Sequence, residues 1–186
     1  MKRVMVVGTS CAGKTTLARG IAQVIEAPHV ELDALHWGPA WAERPRDEFR
    51  LDVERRVQAE SWVVDGNYHA VRDLVVARAT DAVWLNYSFG LVFRRAVART
   101  WRRVRTGEEL FGGNRETFAL GFLRHDSIPW WVVRTHRRRS REYRQFFDTG
   151  PGARLRLVEL TNQDEADRFL QELRAAARSN NVGNPS

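Results

Sequence analysis

The sequence predicts an α/β fold with a parallel sheet, and three observations support that prediction. Short apolar segments alternate with amphipathic segments of helical length along the chain. The first apolar segment leads directly into a glycine-bounded loop and then into a helical pattern. The 186 residues, of which 43% are hydrophobic and 28% charged, have the size and composition of one globular domain with its own core. We therefore predict a single domain over residues 1–178.

The element boundaries follow from periodicity and from glycine and proline signals. The predicted strands are 3–7, 29–33, 62–64, 82–87 and 154–160. The predicted helices are 14–26, 46–60, 70–78, 89–105, 115–126, one that opens at Pro129, and 163–177. Pro28 ends the first helix, and Thr149-Gly150-Pro151-Gly152 ends the helix that opens at Pro129. Residues 34–45 are predicted to form a loop, and residues 179–186 a disordered tail.

Positive charge is concentrated in one part of the chain. Residues 94–144 contain 14 arginines and five acidic residues, a balance of +9 in a chain whose net charge is +7. Such a segment is expected to face nucleotide phosphates, a phosphorylated substrate or a nucleic acid, and the alternative is an arginine-rich solvated surface. Because residues 88–150 are too long for a single crossover, we predict that they form a helical, arginine-rich lid insertion.

The first loop, from Gly8 to Thr16, fits the phosphate-binding pattern G-x-x-x-x-G-K-[ST]. Gly8 and Gly13 allow backbone turns that aim successive N–H groups inward at a helix N-terminus. Lys14 would reach the β- and γ-phosphates, and the Thr15 hydroxyl would hold Mg²⁺. The loop follows a strand and precedes a helix, which is the context that a P-loop requires. The predicted nucleotide-binding residues are Gly8, Ser10, Cys11, Ala12, Gly13, Lys14, Thr15 and Thr16.

A second candidate feature is the apolar strand Trp62-Val63-Val64, which ends in Asp65-Gly66. An aspartate in that position is typical of a carboxylate that holds Mg²⁺, so Asp65 is the second predicted metal ligand. The following residue is glycine and not the glutamate that activates water in motor-type ATPases. This favours transfer to a bound acceptor over hydrolysis. The structural alternative is that Asp65 caps the next helix.

Asp33 is the last residue of the second predicted strand, and His36 and Trp37 lie just beyond it. The carboxyl ends of parallel strands meet at the ligand crevice, so Asp33 is expected near the transferred phosphoryl group, where it could accept a hydroxyl proton. Asp33 could equally be a helix cap, and His36 a solvated loop residue. Trp37 and Trp41 could stack on a flat or sugar-like acceptor or close the loop on the core.

The arginine segment offers charge for the equatorial oxygens of a transferring phosphoryl group. Arg94, Arg95, Arg99, Arg102 and Arg103 fall on the first long helix, and Arg134, Arg137, Arg138, Arg141 and Arg144 on the second. We predict Arg115 and Arg137 as the catalytic arginines, because each lies near a helix break or within a dense cluster. With Lys14 and Asp33 they complete the predicted catalytic set.

Several segments together resemble a known family. They are GTSCAGKTTLA, HVELDALHWGPAW, WVVDGNYHAVRDL, WLNYSFGLVFRRAVART, ELFGGNRET and RTHRRRSREY, spread over roughly residues 3–175. They resemble the bacterial adenylate-kinase-like P-loop proteins described as DNA topology modulation proteins. The resemblance implies a P-loop NTPase of the nucleoside/nucleotide-kinase type, with three α/β/α layers and a five-stranded parallel sheet in the order 2-3-1-4-5.

The resemblance also implies an acceptor site. Asp65-Gly66 is similar in position to the Asp-Gly-x-Pro-Arg segment of adenylate kinases, but Asn67-Tyr68-His69 replaces its Pro-Arg part, and Arg72 could supply the missing arginine. Asp33 resembles the acceptor-binding aspartate of shikimate-kinase-like enzymes. The predicted substrate-binding residues are Asp33, His36, Trp37, Asn67, Tyr68 and Arg72.

The expected function is that of an ATP-dependent, Mg²⁺-requiring kinase of a small-molecule acceptor, which could be a nucleotide, a nucleoside or another hydroxyl compound such as a sugar or an antibiotic. Adenine is expected near Thr161-Asn162. The alternative is a nucleotide-regulated nucleic-acid-binding protein that affects DNA topology. The chain has no apolar run long enough for a membrane span, no signal peptide before its first strand, and one cysteine, which excludes an internal disulfide. We therefore expect a cytoplasmic protein.

Overall fold

The computed structural model describes residues 1–109 and 127–182. Within them the strands are β1 (Arg3–Gly8), β2 (His29–Glu31), β3 (Trp62–Asp65), β4 (Asp81–Leu85) and β5 (Arg156–Leu160). The helices are α1 (Lys14–Val24), α2 (Leu32–His36), α3 (Arg46–Val57), α4 (His69–Arg78), α5 (Phe89–Thr106), α6 (Ile128–Asp148) and α7 (Gln163–Val182), with a 3₁₀ turn at Pro39–Trp41.

The five strands form one sheet in the order β2-β3-β1-β4-β5, and every pairing is parallel. The predicted fold class and strand order are therefore confirmed. β1 lies at the centre of the sheet, and its register aligns Val6 with Asp65 on one side and Gly8 with Leu85 on the other. The P-loop, which follows β1, and Asp65, the last residue of β3, consequently lie at the same edge of the sheet, where the strands have their carboxyl ends.

Helices cover both faces of the sheet, as three α/β/α layers require. Successive residues of β1 point to opposite faces, so Met5 and Val7 pack in one core and Val4 and Val6 in the other. Residues of α3, α4 and the C-terminal half of α6 pack in the first core. Residues of α1, α5 and α7 pack in the second. Near-continuous apolar strands are the pattern expected of a parallel sheet buried on both faces.

The described parts of the predicted lid, residues 88–150, are the long helices α5 and α6, which pack against each other. Both helices also contribute to the cores. Val92 and Ala96 of α5 are fully buried, and Phe146 and Phe147 of α6 are buried with less than a tenth of their surface exposed. These helices are therefore built into the domain over much of their length. The helix predicted over 115–126 lies outside the described residues.

Two local predictions differ from the structure. β2 ends at Glu31, and Leu32 begins the short helix α2, so Asp33 lies in the first turn of a helix and not at the exit of a strand. A three-residue strand cannot be distinguished by pattern from a five-residue one when a buried leucine follows it. Helix α7 continues to Val182, so the first residues of the predicted tail are helical. No helix in the described ranges combines the length and apolarity needed to cross a bilayer.

Candidate active site

The loop from Gly8 to Gly13 connects the central strand to helix α1. Gly8 has φ +150°, and a Cβ there would lie 2.7 Å from the carbonyl oxygen of Leu85, so only glycine fits between β1 and β4. Cys11 and Gly13 also adopt positive φ, and the Ala12 N–H donates to the Thr9 carbonyl. The turned backbone delivers the chain to the N-terminus of α1 at Lys14, where free N–H groups favour an anion.

The side chain of Lys14 is anchored on the loop itself. It is half-buried, and its Nζ donates to the Thr9 carbonyl oxygen at 3.1 Å. Burial lowers the pKa of Lys14, and the negative charges of Asp33 and Asp65 act in the opposite direction. A phosphate chain in the loop would add the negative charge that the buried ammonium lacks.

The Thr15 hydroxyl donates to Oδ2 of Asp65 at 2.7 Å, which brings the two predicted metal ligands together. Asp65 is buried, 3% exposed, and its Oδ1 lies 3.0 Å from Nε2 of His29. The hydroxyl of Thr15 is also 3.4 Å from Oε1 of Glu31. Both Asp65 oxygens therefore have partners, and His29 fixes the orientation of the carboxylate.

Glu31 and Asp33 make this edge of the sheet acidic. The pKa of Glu31 is raised, first by burial and then by the charges of Asp65 and Asp33. Carboxylates beside a threonine hydroxyl are a hard oxygen donor set of the kind Mg²⁺ prefers. The described residues contain no group of three His, Cys, Asp or Glu side chains arranged to hold a metal ion by themselves. Mg²⁺ commonly uses one or two carboxylates together with substrate phosphates and water, so Thr15 and Asp65 fit that mode.

Asp33 sits beside an aromatic cluster. Its Oδ1 accepts a 2.7 Å hydrogen bond from the Tyr68 hydroxyl, and burial together with the Asp33 charge raises the pKa of Tyr68, which keeps the phenol protonated. The ring of His36 packs on those of Tyr68, Trp37 and Phe49 at centroid distances of 4.4, 4.8 and 5.2 Å. Trp37 also packs edge-on against Trp41, at 5.9 Å. The packing of His36 and Trp37 therefore stiffens the C-terminal end of α2, the short helix that carries Asp33.

Asn67 links the P-loop to helix α6. Its Nδ2 donates to the Gly8 carbonyl oxygen at 2.5 Å, and its Oδ1 accepts a hydrogen bond from the Tyr143 hydroxyl. Asn67, Tyr68 and Arg72 line a small cavity together with Tyr143. Asn67 and Tyr68, between β3 and α4, and Arg72 of α4 are thus close together at the edge where the P-loop leaves the sheet.

The arginines that reach the P-loop come from α5. Arg95 donates to the Ala12 carbonyl oxygen at 3.2 Å, and Nη1 of Arg99 lies 3.9 Å from Sγ of Cys11. Arg137, one of the two predicted catalytic arginines, is exposed on α6 and does not line the cleft over the P-loop. Arg115, the other, lies outside the described residues. Among the described residues, the arginines that contact the P-loop are therefore Arg95 and Arg99 of α5, and the role of Arg115 stays a prediction.

Two clefts meet at the P-loop. The larger, about 860 Å³, is lined by loop residues, by Glu31 and Asp33, and by arginines of α5. The smaller, about 290 Å³, lies between α1, α5 and α7 and is lined by Tyr87, Arg95 and Gln163. Thr161 and Asn162, near which adenine is predicted, hydrogen bond with Glu165 and cap α7. Gln163, the residue after Asn162, lines the smaller cleft.

Comparisons with known proteins show the fold. No protein-family model and no curated protein matches the sequence. The shikimate kinase from Bacteroides thetaiotaomicron is 15% identical over 95% of this chain and 98% of that one, with a TM-score of 0.56. A shikimate kinase from Acinetobacter baumannii in complex with shikimate is 16% identical over 97% and 94% of the two chains, also with a TM-score of 0.56.

A gluconokinase from Sinorhizobium meliloti 1021 is 17% identical over 99% of this chain and 98% of that one, with a TM-score of 0.50. At these identities the likeness establishes that this chain has the fold of P-loop small-molecule kinases. One fold supports many activities, so function has to be argued from the site. The finer resemblance to the DNA topology modulation proteins stays a prediction from sequence.

Several site residues were not predicted from sequence. Glu31 and His29 lie on β2, and in the predicted strand 29–33 only the last residue, Asp33, was given a role. Their contacts with Thr15 and Asp65 depend on the β2–β3 pairing. Tyr143 reaches Asn67 from 76 residues away. No local signal in the sequence indicates that contact. A Thr15–Asp65 pairing, in contrast, was implied by the P-loop pattern and the strand-end aspartate.

Proposed function

We propose that this protein is a phosphotransferase that moves the γ-phosphoryl group of ATP, with Mg²⁺, to a hydroxyl group of a small-molecule acceptor. The observation that carries the proposal is the arrangement of Lys14, the Thr15–Asp65 pair and Asp33 along one edge of the sheet. These are a phosphate-binding cation, a donor pair for a hard metal ion, and a carboxylate that lines the larger cleft. Phosphoryl transfer needs little more from a protein than such positioning and charge.

The residues fit the nucleotide and the metal. The P-loop backbone and the N-terminus of α1 would hold the β- and γ-phosphates, with the base in the smaller cleft beside Tyr87 and Gln163. Thr15 and Asp65 would hold Mg²⁺, and Glu31 adds a second carboxylate within reach of the Thr15 hydroxyl. Bound there, the metal neutralises charge on the transferring phosphoryl group and orients the triphosphate.

Asp33 is placed to receive the acceptor. One carboxylate oxygen accepts from Tyr68, and the other has no hydrogen-bond partner within the part of the chain that the structure describes. It would take the proton from the acceptor hydroxyl as that oxygen bonds to the γ-phosphorus and the bond to the β–γ bridging oxygen breaks, which releases ADP. Tyr68 fixes the carboxylate in position because its own proton is firmly held.

Arg95 and Arg99 complete the charge around the phosphates. Arg95 is anchored by Ala12, by the Gln163 side chain at 2.7 Å and by the Tyr87 ring, 5.2 Å from its guanidinium carbon. Arg99 lines the larger cleft, and its positive charge is felt at Lys14. We assign to Arg99 the stabilisation of charge on the transferring oxygens, the role that the sequence predicted for Arg115 and Arg137.

The test is an ATP-consumption screen across nucleotides, nucleosides, sugars, hydroxy acids and aminoglycosides. Lys14→Ala should reduce acceptor-dependent ATP consumption by at least about 100-fold, the usual cost of losing one preorganised charge contact in a transition state. Lys2→Ala is the matched control, because Lys2 is exposed and pairs with Glu60 at the opposite edge of the sheet. Full activity in Lys14→Ala, with Lys2→Ala unchanged, would refute the proposal.

A second candidate function is nucleic-acid binding, and the exposed arginines of α6 favour it. Arg134, Arg137 and Arg141 are exposed, follow the three- and four-residue spacing of one helical face, and form no ion pair among the described residues. If this face binds DNA, affinity should fall steeply between 50 and 200 mM salt, by about 10-fold or more for a few phosphate contacts. Absence of DNA retention at 50 mM salt would exclude this function.

A further inference from the structure

Asn67 joins two parts of the molecule through its side-chain amide. It is half-buried between β3 and α4, and both ends of the amide are engaged within the protein. Its Nδ2 donates to the Gly8 carbonyl oxygen at 2.5 Å, and its Oδ1 accepts from the Tyr143 hydroxyl. A carbonyl oxygen can only accept, so the NH2 group must face Gly8 and the amide oxygen must face Tyr143.

The contact with Gly8 falls where the chain turns from β1 into the P-loop. Gly8 has φ +150°, and because glycine adopts more backbone conformations than other residues, the peptide unit that follows it needs a partner to be fixed. The Asn67 amide holds that unit by its carbonyl oxygen. The next residue, Thr9, carries the carbonyl oxygen that accepts from Nζ of Lys14 and from the Ala12 N–H. Asn67 therefore acts one residue away from the anchor of the phosphate-binding lysine.

Tyr143 is a rigid support for the amide. Its ring is buried and packs against Trp84 at a centroid distance of 6.0 Å. The next residue of α6, Arg144, forms a bidentate pair with Glu159 of β5, with N–O distances of 2.8 and 2.9 Å. Burial raises the pKa of Tyr143, so the hydroxyl stays protonated and donates to Asn67. Helix α6 is thus fixed to the sheet at the point where it meets the amide.

We infer that Asn67 is a positioning residue for the P-loop and that Tyr143 of α6 supports it. The inference rests on the proposed function, in which this loop binds the phosphates of ATP. The amide holds the loop in one conformation, and preorganisation of this kind raises affinity because less ordering is needed on binding. Affinity for the nucleotide consequently depends on Tyr143, a residue that lines neither of the two clefts at the P-loop.

The first arm of the test measures binding of ADP with Mg²⁺ by calorimetry, without turnover. Asn67→Ala should weaken this binding by about 10-fold, roughly the value of one part-buried hydrogen bond. Asn67→Asp can still accept from Tyr143 but cannot donate to Gly8, so it should lose at least as much affinity. Asn86→Ala is the matched control and should bind normally, because Asn86 is half-buried at the same edge of the sheet, donates to Glu159 and lines neither cleft.

The second arm tests the support from α6. Tyr143→Phe keeps the packed ring and removes only the hydroxyl, so this variant should fold even if Asn67→Ala is unstable. It should bind ADP with Mg²⁺ about 3-fold more weakly, and adding it to Asn67→Ala should cause no further loss, because the hydroxyl acts through the amide. Independent effects would instead multiply to about 30-fold.

The third arm separates positioning from acceptor binding, the role predicted for Asn67 from the sequence, and from a purely structural role. In the ATP-consumption assay, Asn67→Ala should raise the KM for ATP and leave the KM for the acceptor unchanged. Acceptor binding predicts the reverse. A purely structural role would lower the urea midpoint of unfolding and leave both KM values of the folded enzyme unchanged.

Three results would overturn the inference. They are binding of ADP within about 2-fold of the unsubstituted protein in both Asn67 variants, a KM increase confined to the acceptor, and losses for Asn67→Ala and Tyr143→Phe that multiply in full. Failure of the proposed function would look different, because the unsubstituted protein would then neither bind ADP nor consume ATP. If it does both and nucleotide binding is insensitive to Asn67, the kinase proposal stands and the positioning role is wrong.

Discussion

Gly66 offers a sharp test of how tightly the site is built. It follows Asp65 with φ +137°, a region that residues with a Cβ rarely adopt. A Cβ at this position would lie 2.7 Å from Cβ of Leu32 and 3.1 Å from its Cδ1, where ordinary contacts are 3.4–4 Å. Leu32 is 3% exposed and packed in the core, so it cannot move away freely.

The cost of Gly66→Ala has two parts. Holding alanine at this φ costs about 1–3 kcal/mol, and overpacking a buried contact costs a further ~1–3 kcal/mol. We therefore expect the free energy of unfolding to fall by about 2–6 kcal/mol, out of the roughly 5–15 kcal/mol typical of a domain. For a chain of this length that corresponds to a Tm lower by about 4–24 °C. Displacement of Leu32 would also move Asp33, the next residue in α2, and reduce turnover.

Urea denaturation followed by tryptophan fluorescence measures this change. Gly90→Ala is the matched control, because Gly90 lies in α5 with open space around its Cα and no unusual φ. That substitution should alter stability by no more than about 1 kcal/mol, in the stabilising direction. If Gly66→Ala unfolds within about 1 kcal/mol of the unsubstituted protein, the packing of Leu32 against the Asp65–Gly66 step is wrong.

Three further predictions concern the carboxylates. The pKa of Glu31 is raised, so its stabilising contribution is present at acid pH and is lost as pH rises through that pKa. Glu31→Gln should therefore be more stable than the unsubstituted protein at pH 7 without Mg²⁺, by less than about 1 kcal/mol, and thermal melts of the two proteins should converge near pH 4. A stability difference that is larger at pH 4 than at pH 7 would contradict this. Tyr68→Phe should lower kcat about 10-fold with the KM for ATP unchanged, because it removes a hydrogen bond to the Asp33 carboxylate; an unchanged kcat would remove Tyr68 from the mechanism. His29→Leu should weaken Mg²⁺-dependent ADP binding, measured by calorimetry, by about 10-fold. His29→Gln can still donate to Asp65 and should retain most of the affinity. Equal loss of affinity in both variants would mean that His29 acts only in packing.

Much of the fold was predictable because its signals are local. The strand, loop and helix of the P-loop are contiguous in sequence, and short runs of apolar residues predict the strands of a parallel sheet. The role of Asp65 as a metal ligand could be predicted because an aspartate at the end of an apolar strand is typical of the Mg²⁺-holding carboxylate in a P-loop protein. The structure adds the 2.7 Å contact with Thr15 that joins the two.

The remainder depends on contacts between distant segments. Nothing near Asn67 in sequence indicates that Tyr143 will bond to it, and nothing near Asp65 indicates His29. Among 14 arginines between residues 94 and 144, composition could not indicate that Arg95 is anchored on the P-loop. Helix α5 shows the difficulty: arginines lie all around it, and only the fold decides which of its faces meets the loop.

The most direct test of the kinase assignment follows the phosphoryl group itself. ATP labelled in its γ-phosphate is incubated with Mg²⁺ and the acceptors that pass the consumption screen, and label is sought in the acceptor. We predict label in the acceptor with the unsubstituted protein and with Lys2→Ala, and at least about 100-fold less with Lys14→Ala. Label found only in inorganic phosphate, or found equally in the acceptor with Lys14→Ala, would contradict the assignment.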